Sequence, residues 1–139
     1  MIKQVLSIAG SDSGGGAGIQ ADLKAMSANG VYAMSVITAI TAQNTEEVAD
    51  VFELPTSIIA AQLDAIFDDF DVAAVKTGML SSAEIIRTVV QLLKTQQVRN
   101  LLVDPVMIAK GGQPLLKPDA IDILKSALFP FALLVTPNV

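Results

Sequence analysis

The densest chemistry in the chain is a glycine-rich loop, Gly10-Ser-Asp-Ser-Gly-Gly-Gly-Ala-Gly18, directly after the short apolar run Val5-Leu6-Ser7-Ile8-Ala9. Unpaired backbone N–H groups and the positive end of a following helix make such a loop a place for an anion. Gly16-Ala-Gly18-Ile-Gln-Ala21 also satisfies the loose dinucleotide pattern G-x-G-x-x-A. The acidic residue that should hold a ribose near the end of the second strand is missing, because Gln43-Asn44 stands there, and no lysine follows the last glycine as a P-loop requires. The competing reading is that the glycines only permit a tight turn. Two charged residues follow apolar runs: Lys76, in Lys76-Thr-Gly78, and Asp104, after Leu101-Leu102-Val103. Lys-Thr-Gly also occurs in serine β-lactam enzymes, but their Ser-x-x-Lys companion is nowhere in this chain. A lysine at the end of a buried strand needs a partner; Asp104 is the candidate for Lys76. A carboxylate at a strand's carboxyl end, beside a ligand crevice, can hold Mg²⁺ directly or through water.

Composition narrows the options further. The 139 residues include no cysteine and no histidine, which removes disulfides, thiolate nucleophiles, imidazole bases and Cys or His metal ligands. Carboxylates, lysines, hydroxyls and backbone groups are left to do proton and metal work. Nine basic against 14 acidic residues give a formal net charge of −5, the wrong sign for nucleic-acid phosphates or an anionic membrane surface. Neither is expected as a partner. The first ten residues, MIKQVLSIAG, read as neither a signal peptide nor a membrane span, so a cytoplasmic location is expected. Apolar side chains make up 52% of the chain and the mean hydropathy is +0.56, which suggests strands buried on both faces and a core partly shared with something outside the chain.

The elements that must position these residues alternate from end to end, without linker or repeat. After the loop, Ile19, Leu23 and Met26 mark one helical face, and Asn29-Gly30 supplies a left-handed stop. Met34 to Ala42 reads as one β-branched strand, and Val51 to Leu54 as a short third. Thr56 is placed to cap a helix with Ile59, Leu63, Ile66, Phe67 and Phe70 inward and Asp64, Asp68 and Asp69 on a solvated face. Val72 to Val75 leads into Lys76-Thr-Gly-Met79. Ser81-Ser-Ala-Glu84 reads as a capping box for a helix with Ile85, Val89, Leu92 and Leu93 inward. Leu101 to Asp104 is another strand and Lys110-Gly111-Gly112 a loop. Pro118 begins a helix with Ile121, Leu124 and Leu128, and Ala132 to Thr136 is the last strand. This alternation predicts an α/β fold with a parallel sheet covered by helices on both faces, and ligands gathering at the carboxyl ends of the strands. Those ends are Gly10 to Asp12, Thr41 to Asn44, Lys76 to Met79, Asp104 to Val106 and Thr136 to Asn138.

Taken together, Ile8-Ala-Gly-Ser-Asp-Ser-Gly-Gly-Gly-Ala-Gly-Ile-Gln-Ala-Asp-Leu-Lys24, Ser35-Val-Ile-Thr-Ala-Ile-Thr-Ala-Gln-Asn-Thr45, Lys76-Thr-Gly-Met-Leu80, Val103-Asp-Pro-Val-Met107 and Thr136-Pro-Asn138 closely resemble, in order and spacing, the hydroxymethylpyrimidine and phosphomethylpyrimidine kinases of thiamine biosynthesis. The resemblance implies a ribokinase-like fold with a mostly parallel central sheet, and transfer of the ATP γ-phosphoryl group first to the substrate's hydroxymethyl group and then to the resulting phosphate. It turns the glycine-rich loop toward the pyrimidine rather than toward nucleotide phosphates. It implies that Asp22 and backbone around Ala17 meet the alcohol, and that Gln43, with a carbonyl and an amide on one plane, pairs with a ring nitrogen and the exocyclic amine. Met79 and Val106 would sandwich the ring, and Asp104 would help hold Mg²⁺ and phosphates. It further implies that residues 1–139 are the N-terminal part of a single kinase domain, with the catalytic base, the anion hole and most of the adenine pocket beyond Val139. The chain alone would then be inactive, and the full-length form a homodimer. A pyridoxal kinase of the same fold, or a silent pyrimidine-binding half-domain, is the alternative.

Overall fold

The computed structural model describes residues 1–109 and 111–138. Its centre is β1 (Gln4–Ala9), an apolar strand between two parallel neighbours, β2 (Tyr32–Ile37) and β5 (Val72–Thr77). Beyond β5 lie β6 (Leu101–Val103) and β7 (Leu134–Val135), also parallel, giving the order β2-β1-β5-β6-β7. Leu6, Ser7 and Ile8 of β1 are all fully buried, as a strand covered on both faces requires. Ser7 is opposite Ser35 on one side and Lys76 on the other, so these three side chains share one face of the sheet.

Among the described residues four α-helices cover the sheet: α1 (Gly18–Ala28), α2 (Thr56–Asp69), α3 (Ala83–Thr95) and α4 (Pro118–Ile123). The chain steps from β1 through α1 to β2 on one side, then returns through α2 to β5 on the other. Right-handed crossovers therefore put α1 and α2 on opposite faces. Ser7 and Lys76 both reach α1, whereas α3 packs against α2 and α4 in the other layer. On α3, Ile85, Ile86, Val89, Val90 and Leu93 are buried and Glu84, Arg87, Gln91 and Lys94 are exposed, so one face docks and the other is solvated. The helical stripes on α1 and α2 hold, Gly30 ends α1 at φ +78°, and Asp64, Asp68 and Asp69 are exposed. Among the described residues no helix is long and apolar enough to cross a membrane.

Several sequence expectations move. Met34 to Ala42 is not one strand: it breaks at Thr38 into β2 and β3 (Ala39–Gln43). The latter pairs antiparallel with β4 (Val48–Glu53), which begins earlier than the sequence suggested, outside the main sheet. Thr38 is fully buried; its N–H donates to Ala9 O at 3.0 Å and its hydroxyl to Met79 O at 2.7 Å, which redirects the chain with no glycine or proline to signal it. Pro55, not Thr56, occupies the cap of α2, and Thr56 is already helical with its hydroxyl 3.4 Å from Glu84. The cap of α3 is Ser82, whose hydroxyl accepts from Ile85 N at 3.3 Å; Ser81 is instead buried at φ +56°, so the Ser81–Glu84 box does not form. After α4 the helix continues as one π turn, Leu124–Leu128, and one 3₁₀ turn, Phe129–Phe131. The last two strands are shorter than expected, and of the 110–112 loop Lys110 lies outside the described residues.

Candidate active site

At the carboxyl ends of β1, β3, β5 and β6 the elements leave a cavity of about 260 Å³. Ala17, Asp22, Gln43, Met79, Asp104 and Val106, which come from five different segments, all line it. The size and mixed lining suit one small heterocycle with a few polar groups to orient it. Asp104 and Val106 follow the end of β6, and Met79 follows β5 by two residues. Of the expected strand ends, only Thr136 to Asn138 does not contribute.

The glycine-rich loop answers the anion question within itself. The Asp12 carboxylate, 4% exposed, accepts from Gly14 N at 2.7 Å, Gly16 N at 2.9 Å and Ala17 N at 2.8 Å. The amides that dipole reasoning offers to a phosphate are thus bound to an internal carboxylate, and the Ala17 N–H is engaged as well. Gln20 Oε1 accepts from Asp12 N at 2.7 Å, and Ile19 N donates to Gly10 O at 3.0 Å, closing the loop onto the start of α1. At Gly18, φ +57°, an added Cβ would lie 2.4 Å from Gly10 O; only glycine lets the helix begin so close to the strand end.

Lys76 pairs with the expected Asp104 and, more closely, with Asp22, which the sequence expectation did not include. Its Nζ is 2.7 Å from Asp22 Oδ1 and 2.8 Å from Oδ2, and only 3.7 Å from Asp104 Oδ2. Asp22 lies three residues after Ile19 on the stripe of α1 that faces the sheet, so it meets Ser7 and Lys76 there; Ser7 Oγ–H donates to Asp22 Oδ2 at 2.6 Å. Asp104 keeps a 30% exposed side chain in the cavity. Mg²⁺ takes one or two protein carboxylates and completes its shell with water and phosphate oxygens, so a single, partly exposed carboxylate that accepts no hydrogen bond from Lys76 fits that role. Among the described residues no group of three His, Cys, Asp or Glu could enclose a metal.

Gln43 is aimed by hydrogen bonds that sequence reading did not find. Ser13 Oγ–H donates to Gln43 O and accepts from Gln43 N at 2.8 Å, while Thr41 Oγ1–H donates to Ser11 O at 2.7 Å. These stitch β3 to the loop. Thr41 Oγ1 is also 3.3 Å from Gln43 Oε1, and Gln43 lines the cavity. Met79 is 8% exposed and its Cε abuts Gly10, where an added Cβ would lie 2.4 Å away. Leu115, an apolar lining residue, had no motif to mark it. A wider cavity of about 520 Å³ adjoins, sharing Ala17, Gln43, Val106 and Leu115 with the first.

Comparison with known proteins identifies the family. The family model for phosphomethylpyrimidine kinase matches residues 12–139. The hydroxymethylpyrimidine/phosphomethylpyrimidine kinase of Haemophilus influenzae is 54% identical over 138 residues, 99% of this chain and 51% of that protein. Its counterpart in Rhizobium meliloti is 58% identical over 138 residues, 99% of this chain and 52% of that protein. The crystal structure of phosphomethylpyrimidine kinase from Clostridium difficile superposes with a TM-score of 0.93 at 55% identity, covering 99% of this chain and 59% of that one. The pyridoxal kinase of Staphylococcus aureus in complex with AMP-PCP and pyridoxal gives 0.86 at 35% identity, covering 99% and 49%. The chain spans about half the length of the curated relatives it matches. It has the ribokinase-like fold and belongs to the phosphomethylpyrimidine kinase family.

Proposed function

We propose that this chain is the acceptor-binding part of a single ribokinase-like kinase domain that phosphorylates hydroxymethylpyrimidine, and then its monophosphate, with ATP. The observation that carries this reading is the convergence of Ala17, Asp22, Gln43, Met79, Asp104 and Val106 on one cavity of about 260 Å³. Phosphoryl transfer asks little covalent chemistry of the protein; it depends on alignment and on neutralising charge at the group in flight. In this reading Met79 and Val106 hold the two faces of the ring, and Gln43 pairs with a ring nitrogen and the exocyclic amine. Asp22 and the Ala17 segment meet the hydroxymethyl group, whose oxygen is thereby presented for attack on the γ-phosphorus.

ATP as donor is supported by the AMP-PCP complex of the related pyridoxal kinase. Mg²⁺, when bound, would screen phosphate charge, and Asp104 is the residue of this chain suited to hold it, directly or through water. The pyrimidine is preferred to pyridoxal because identity is 54% and 58% to the two pyrimidine kinases and 35% to the pyridoxal kinase. The test is ADP release by the intact protein with ATP, Mg²⁺ and, in turn, hydroxymethylpyrimidine, its monophosphate and pyridoxal. Release with both pyrimidines is expected; release with pyridoxal alone would overturn the assignment.

A further inference from the structure

Asp22 carries an almost complete set of donors before any ligand arrives. Lys76 Nζ contacts both of its oxygens, at 2.7 and 2.8 Å, and Ser7 Oγ–H donates to Oδ2 at 2.6 Å. An ionised carboxylate has about four lone-pair sites, so these three contacts leave about one acceptor position. The carboxylate, 14% exposed, lines the cavity. Lys76 is the one cation among the described lining residues, and its 3.7 Å separation from Asp104 is too long for a hydrogen bond. The ammonium therefore hydrogen-bonds Asp22 and pairs with Asp104 through charge alone. It reaches α1 from an interior strand of the sheet, 54 residues away in sequence, so two packed elements fix the geometry.

We propose that Lys76 is a positioning residue: by engaging both oxygens of Asp22 it fixes that carboxylate's orientation and turns its one remaining acceptor site to the cavity, where it selects ligands that carry a hydroxyl donor. This rests on the reading that Asp22 meets the alcohol end of the substrate. Without Lys76, Asp22 and Asp104 are two carboxylates lining one cavity with no cation between them, and Asp22 keeps only the Ser7 contact to set its orientation.

The experiment is calorimetric titration of the intact protein with hydroxymethylpyrimidine and with the same ring bearing methyl in place of hydroxymethyl. A hydrogen bond to a charged group gives wild type a roughly tenfold to hundredfold preference for the hydroxyl-bearing ring. Lys76→Met should bring that ratio close to one while binding of the methyl compound is kept, and in an Asp22→Asn background it should change the ratio no further. Ser7→Ala removes one contact and should lower the ratio in part; it decides the matter if Lys76→Met does not fold. A folded Lys76→Met or Ser7→Ala protein with the wild-type ratio, or a further loss in the Asp22→Asn background, would overturn the proposal. A wild-type ratio of one would instead refute the placement of the alcohol at Asp22, and the proposal with it.

Discussion

Replacing Asp12 with alanine removes one carboxylate and strands three backbone donors at once. The amides of Gly14, Gly16 and Ala17 donate to it at 2.7, 2.9 and 2.8 Å. Each unpaired buried donor costs roughly 1–3 kcal/mol. Asp12 itself is buried, but Gly14, Gly16 and Ala17 are exposed, so water can reach the freed amides and the lower end applies. Three donors at that end give a loss of about 3 kcal/mol. Asp12→Asn keeps one acceptor oxygen but sets an amide donor where the other stood, and should cost about 2 kcal/mol. Urea unfolding of the intact protein reads both, provided the m-value is unchanged. Because Ala17 and Gly18 line the cavity, affinity for hydroxymethylpyrimidine should fall at least about tenfold in Asp12→Ala, the equivalent of one displaced contact. An Asp12→Ala protein within about 0.5 kcal/mol of wild type, the range of an unremarkable surface change, would show that the loop keeps its shape without the carboxylate.

Other substitutions separate recognition from packing. Gln43→Ala should weaken pyrimidine binding by roughly 1–3 kcal/mol and leave nucleotide binding alone, since it leaves ring polar groups unpaired; unchanged calorimetric affinity would remove Gln43 from the site. Met79→Asp buries an unpaired carboxylate in the cavity and should abolish pyrimidine binding with far-UV circular dichroism intact, whereas core packing as its only role would produce unfolding. The two tight glycines should behave differently. At Gly10 an added Cβ meets the flexible end of Met79, so Gly10→Ala should melt near wild type yet bind the ring less tightly. At Gly18 the obstacle is the carbonyl of Gly10 and the backbone is left-handed, so Gly18→Ala should lose roughly 1–2 kcal/mol from backbone strain alone. Equal melting losses in these two variants would contradict the contact geometry.

Much of this was legible because apolar runs, caps and strand ends are local signals. β1, β5, α1 and α2 follow from period and from Gly30, and the candidate residues lie where a parallel sheet gathers ligands. The break at Thr38 was not legible, because a buried hydroxyl bonded to the distant Met79 carbonyl makes the turn that glycine or proline usually announces. The shift from Ser81 to Ser82 was lost for a related reason: Ser81 adopts a left-handed backbone that its residue type does not advertise. Two misses did leave a trace. Asp22 falls at i+3 from Ile19 and i−4 from Met26, on an apolar stripe, so it needed a buried partner such as Lys76. Asp12 stands two residues before Gly14, the spacing at which an aspartate folds back onto the backbone, and this could have pre-empted the phosphate reading of the loop.

The most direct test of the central claim is a crystal structure of the intact protein with hydroxymethylpyrimidine bound. The ring is expected in the smaller cavity between Met79 and Val106, with the Gln43 amide on its nitrogen edge and its hydroxyl within hydrogen-bond distance of Asp22. A ring seated in the adjoining cavity beside Glu46 and Gln113, or outside both, would contradict the assignment of these residues to substrate recognition.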